Sequence, residues 1–126
     1  MLTAVHGFSG LGVSDIAAAK AFYADKLGLA VAEDMGGLTL ALPGGTSLFV
    51  YESPAFAPAG YTVLNFEVPD IDAAVRELAD AGVAIERYEG LPHDGSGVVR
   101  GRAAGQGPDI AWFRDPAGNI LAVLQP

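Results

Sequence analysis

Polar and apolar residues alternate along several short stretches of this chain, and between those stretches lie two segments whose apolar residues recur at helical spacing. Beyond residues 5–13, Ile16, Ala19, Phe22, Tyr23 and Leu27 make one stripe; beyond 61–68, Ile71, Ala74, Val75 and Leu78 make another. Asp15 and Asp70 stand just ahead of the stripes, where a carboxylate can accept from the first free N–H groups of a helix. Three strand-like pieces follow each predicted helix, at about 29–34, 38–42 and 47–52 and again at about 83–88, 109–114 and 119–124. Gly36-Gly37, Pro43-Gly44-Gly45 and Asp115-Pro116-Ala117-Gly118-Asn119 supply the turn chemistry. The pattern is βαβββ, twice.

The two halves also match residue by residue. Leu11 to Ala19 and Phe66 to Ala74 align at an offset of 55 residues, with Val, Asp, Ile and Ala recurring in step, and each helix ends near a glycine, Gly28 or Gly82. Module 1 therefore covers about residues 5–52 and module 2 about 61–125, within one domain spanning 1–126. The Pro- and Ala-containing stretch 53–60 reads as a semi-rigid linker.

Composition narrows the function classes. With 51% hydrophobic and 17% charged residues, the chain has enough apolar content for a packed core. A net charge of −8 repels phosphate backbones and anionic membrane surfaces, so neither nucleic acid nor membrane is an expected partner. The absence of cysteine removes disulfides, thiolate metal sites and a cysteine nucleophile, and fits a cytoplasmic location. The N-terminal stretch lacks the basic segment of a signal peptide, and no apolar run reaches the ~20 residues of a membrane span.

Val13, Asp15 and Leu27-Gly28-Leu29, then Val68-Pro69-Asp70 and the closing Phe113 to Asn119, resemble the vicinal oxygen chelate superfamily, which holds glyoxalase I, bleomycin-resistance proteins and extradiol dioxygenases. The resemblance runs from about residue 5 to 125. It implies an α+β fold in which two tandem βαβββ modules form a cupped mixed sheet with helices outside and a ligand cavity inside, commonly as a homodimer. Enzymes of this group hold a divalent metal with His, Glu or Gln from both modules, and the metal stabilises an oxyanion on the substrate. Carried onto this chain, the four ligand corners fall on Phe8, Phe49, Val63 and Ala122. None has a lone pair to offer, so neither a metal nor another cofactor is expected. A displaced site would have to draw on His6, Glu67 and His93.

Alternation assigns the cavity wall. His6, Phe8, Phe49, Tyr51, Tyr61, Val63, Asn65 and Ala122 face inward, with Trp112 and Arg114 on one face of the strand leading out of a long loop. The opposite set, including Leu11, Val13, Leu48, Val50, Leu64, Leu121 and Val123, is apolar and packs under the helices. Residues 89–108 contain six glycines and carry His93, Asp94, Arg100 and Arg102; they read as a lid or binding loop with no regular structure of its own. No catalytic residue stands out. The expectation is a metal-free protein that binds or sequesters a small, partly aromatic molecule in an apolar cavity. The alternatives are a lyase, dioxygenase or isomerase with a displaced metal or none, and a structural or regulatory dimer whose cup is filled by its own side chains.

Overall fold

The computed structural model describes residues 1–126, which divide into two compact units, Met1–Ala57 and Pro58–Pro126. Each unit is one βαβββ module with its own four-stranded mixed sheet.

In the first unit, strand β1 (Ser9–Val13) leads into helix α1 (Ile16–Ala21) and a π-helical turn, Phe22–Lys26. Strands β2 (Ala30–Asp34), β3 (Gly37–Ala41) and β4 (Ser47–Glu52) complete the sheet in the order β1-β4-β3-β2, with β1 parallel to β4. Asp15 caps α1, accepting from the N–H groups of Ala17 and Ala18 at 3.0 and 3.2 Å. The helical segment stops at Gly28, whose φ of 71° lets the Leu29 N–H reach back to the Tyr23 carbonyl. Leu11, Val13, Leu38, Leu40, Leu48 and Val50 alternate onto the face that also buries Ala19, Phe22 and Tyr23. Each such aliphatic side chain contributes about 1.5–3 kcal/mol on full burial.

The second unit repeats the plan with β5 (Thr62–Glu67), α2 (Ile71–Asp80), β6 (Val99–Arg100), β7 (Asp109–Arg114) and β8 (Ile120–Gln125), ordered β5-β8-β7-β6. Asp70 caps α2 through the Asp72 and Ala73 N–H groups, and the Ile71 N–H donates to Gln125 Oε1 at 3.0 Å, tying the helix start to β8. Ile71, Ala74, Val75 and Leu78 of α2 are buried, as are Leu64, Ala111, Phe113, Leu121 and Val123 of the sheet.

Three local expectations are corrected. Residues 5–8 are not part of the first strand, which begins at Ser9; His6 is exposed outside it. Residues 83–88 make one bridge, Glu86 to Trp112, rather than a strand, and the edge strand is instead β6, inside the stretch expected to lack regular structure. A β-bulge between Thr62 and Leu64 breaks simple alternation in β5. Thr62 pairs with Ile120 and Leu64 with Leu121, so Val63 has no partner in β8, and Tyr61 lies outside the strand and is 71% exposed.

The β2–β3 hairpin turns through Met35 and Gly36, both at positive φ (49° and 77°), the two-residue geometry that favours Asn at its first position. Met35 is exposed and pays for this conformation without packing. Met35→Asn is expected to raise stability by about 0.5–1 kcal/mol in denaturant unfolding.

Candidate functional site

Sheet A, formed by β1 to β4, leaves much of the face away from α1 exposed, with Phe56 lying against Gly12 at one edge. Gly10, Phe49, Thr39 and Ala32 pair across it in one row, and Ser47, Ala41 and Ala30 in the next. Phe49 and Tyr51 project from β4 as a stacked pair, ring centroids 6.2 Å apart and planes 14° from parallel. Both rings have seats where β-carbons are missing. A Cβ on Gly37 would strike the Val50 carbonyl oxygen and come within 2.8 Å of the Phe49 ring, and the Cβ position of Gly10 lies 3.5 Å from Tyr51 Cε1. Phe8 meets Phe49 edge-on at 6.4 Å, and His6 stacks on Phe8 at 5.8 Å. Along β2, β3 and the start of β4 runs a shallow trough of about 350 Å³ lined by Ala30, Ala32, Thr39, Ala41 and Ser47.

Sheet B, formed by β5 to β8, treats the corresponding face differently. Asn65 pairs with Ala122 and Ala122 with Trp112, so Ala122 occupies the position that Phe49 has in sheet A, and Trp112 that of Thr39. Trp112 donates from Nε1 to Thr62 Oγ1 at 3.1 Å. Since β8 lies between β7 and β5, the indole crosses β8, and Ala122 beneath it is fully buried. Tyr88 and His93 meet the indole edge-on, at 5.6 and 6.1 Å. Arg114 pairs with Glu86 and donates to the Gly118 carbonyl at 3.1 Å. The Tyr88 hydroxyl is buried without a hydrogen-bond partner, and burial, partly offset by Arg114, raises its pKa.

The 89–108 stretch is built rather than loose. His93 accepts at Nε2 from the Tyr88 N–H (2.9 Å) and so presents Nδ1–H to the Gly97 carbonyl (2.7 Å). Asp94 accepts at Oδ1 from the N–H groups of Ser96 and Val98 and from the Ser96 hydroxyl, and at Oδ2 from Arg100 Nε. Arg100 continues to Asp72 on α2 at 2.5 Å and lies 3.7 Å from the buried Asp109, which also takes the Arg102 N–H. The Arg102 side chain is exposed. Burial pushes the Asp94 pKa up, but the bonds from Ser96, Arg100 and Val98 outweigh it and hold the carboxyl at about 2, below its ordinary 3.8. A carboxylate with a depressed native pKa contributes stability above 3.8 and loses it as pH falls toward about 2. Amide exchange at residues 95–100 should therefore accelerate across that window, measured against the exchange of α2.

The family model for the Glyoxalase/Bleomycin resistance protein/Dioxygenase superfamily matches residues 5–123. The chain belongs to this superfamily. Among solved structures, TnmS3, an antibiotic binding protein from a Streptomyces species, is 25% identical, covers 99% of each chain and superposes with a TM-score of 0.66. A glyoxalase/bleomycin resistance protein, also from Streptomyces, is 26% identical over 94% of this chain and 97% of its own, with a TM-score of 0.64. A glyoxalase family protein from Enterococcus faecalis, at 24% identity, a TM-score of 0.68 and coverage of 93% and 94%, shares the fold. No curated protein matches the sequence. No helix is long and apolar enough to cross a membrane.

The metal that enzymes of the superfamily carry does not fit the residues present here. Phe49 is stacked on Tyr51, Ala122 lies under the Trp112 indole, and Phe8 and Val63 offer no donor atom. Of the substitutes, His93 spends both ring nitrogens within its own loop, and His6 stands outside β1. No three His, Asp or Glu side chains come together in a way that could hold an ion.

Of the residues expected to act together, the first unit groups His6, Phe8, Phe49 and Tyr51; the second groups Ala122, Trp112 and His93, with Asn65 exposed beside them. Tyr61 and Val63 do not join that group, while Thr62 and Tyr88 do. The floor of the trough carries no chemical signature in sequence, since Ala, Ser and Thr are common on any strand.

Proposed function

We propose that this superfamily member captures a flat, largely apolar small molecule on the open face of sheet A and performs no metal-assisted chemistry on it. The observation that carries the reading is the parallel Phe49–Tyr51 pair, seated over glycines, with Tyr51 43% exposed. Aromatic faces left uncovered on a rigid sheet suit stacking with a planar ligand. The antibiotic binding protein of the same fold supports the same class of function. Sheet B favours the self-filled alternative for its own unit, because Trp112 already lies over its central strand.

Titration of the protein with the planar cation proflavine tests the reading. Phe49→Ala and Tyr51→Ala should each weaken binding by about tenfold, as expected for loss of one stacking contact. Unchanged affinity in both variants, or one equivalent of tightly bound transition metal in protein purified without chelator, would overturn it.

A further inference from the structure

The backbone holds His93 at both ring nitrogens, and that arrangement fixes its charge. Nε2 accepts the Tyr88 N–H at 2.9 Å and so carries no proton; Nδ1 lies 2.7 Å from the Gly97 carbonyl and donates to it. Only the neutral Nδ1–H imidazole satisfies both bonds. A proton added at Nε2 would set a charged N–H against the Tyr88 N–H, while the Nδ1 bond to Gly97 would survive. Protonation breaks one contact and spares the other.

The spared side is firmly anchored. Val98 is fully buried, a Cβ on Gly97 would come within 2.6 Å of Ile85 Cγ2, and Asp94 gathers the Ser96 and Val98 N–H groups. The other side is a short exposed turn, in which the Leu91 N–H donates to the Tyr88 carbonyl and the His93 N–H to that of Leu91. Tyr88 and His93 meet the Trp112 indole edge-on, and the Tyr88 hydroxyl is buried there with no partner, a group that water would satisfy if the turn lifted.

The charged groups packed around the ring are committed elsewhere. In its own loop, Asp94 serves Ser96, Val98 and Arg100, and Arg87 donates to the Gly95 carbonyl. From the preceding segment come the Tyr88 phenol and Glu86, the latter paired with Arg114 of β7. From α2, Asp72 is paired with Arg100. Glu89, on the turn itself, is exposed to solvent.

We infer that residues 88–93 form a latch over the Trp112 indole, closed by neutral His93 and released when the imidazole takes up a proton. The closed form binds one proton fewer than the open form, so closure is complete at higher pH and weakens as pH falls.

Amide exchange of the full chain, corrected for the intrinsic effect of pH, tests the latch between about pH 8 and about pH 5, where histidines change charge. Once His93 titrates, the Tyr88 amide should lose protection by about tenfold for each further pH unit, because each opening binds one proton. The Val98 amide should keep its protection, and Trp112, the only tryptophan, should become more accessible to acrylamide in parallel with Tyr88. Nitrogen chemical shifts of the His93 ring should show the Nδ1–H form at about pH 8. His93→Gln supplies an acceptor that takes up no proton, and should hold Tyr88 at one level of protection throughout. His6→Gln removes the other histidine and should leave the wild-type response. If His93→Gln does not fold, the wild-type ring shifts and the His6→Gln variant still decide. An Nε2–H ring at about pH 8 overturns the inference, as does a titrating His93 with unchanged Tyr88 protection. So does a response that persists in folded His93→Gln, one that vanishes in His6→Gln, or a loss at Val98 in step with Tyr88.

Discussion

Ala122→Glu should destabilise the second unit by about 3–5 kcal/mol, and added divalent metal should not restore it. Glutamate is the residue that the superfamily's enzymes often carry at this position, so the substitution would look like a repair. The surroundings say otherwise. Ala122 has no exposed surface, and the Trp112 indole reaches over β8 to Thr62. A longer side chain must displace that ring and break its 3.1 Å bond, and the carboxylate would enter beside Arg114, whose guanidinium is already paired with Glu86. Thermal unfolding followed by circular dichroism should show a fall on the order of 10 °C or more. Recovery of the midpoint with zinc, nickel or manganese would reveal a latent coordination site and contradict this picture.

Asp115→Ala should cost about 2–4 kcal/mol. The Asp115 carboxylate is 4% exposed in residue terms and organises the turn that enters β8. Its Oδ1 accepts from the N–H groups of Ala117 and Asn119 at 3.0 and 2.9 Å, and its Oδ2 accepts from Asn119 Nδ2 at 3.0 Å. Deleting the side chain leaves those donors without this acceptor in a place that water does not reach easily. Asp115→Asn separates the contributions: a carbonyl oxygen can still serve the backbone, but the amide would turn a donor toward the Asn119 amide. The asparagine variant should therefore fall between wild type and alanine in urea midpoint, and an alanine variant as stable as wild type would show that the turn holds without its carboxylate.

The sequence was informative wherever one residue type solves one local problem. Asp15 and Asp70 announce helix starts because a short carboxylate is the ready acceptor for free N–H groups, and both do cap helices. Alternation separated the helix-facing residues because a period of two leaves little choice once one face is buried. The failures share a cause. The bulge after Thr62 inserts one residue without any change of composition, and so it puts Thr62 rather than Val63 on the face that carries Trp112. Strand β6 is two residues long and was hidden among glycines. His93 and Asp94 read as part of a lid or binding loop; their side chains are engaged by Tyr88, Gly97, Ser96, Val98 and Arg100 within the unit. The trough was not legible because its floor is made of Ala, Ser and Thr, which are common on any strand.

Amide chemical-shift mapping of the isotopically labelled protein with saturating proflavine tests the central claim most directly. Shifts should concentrate on residues 37–41 and 47–51, the strands bearing Thr39, Phe49 and Tyr51. Perturbations centred instead on Trp112 and its neighbours in sheet B, with β3 and β4 silent, would contradict it.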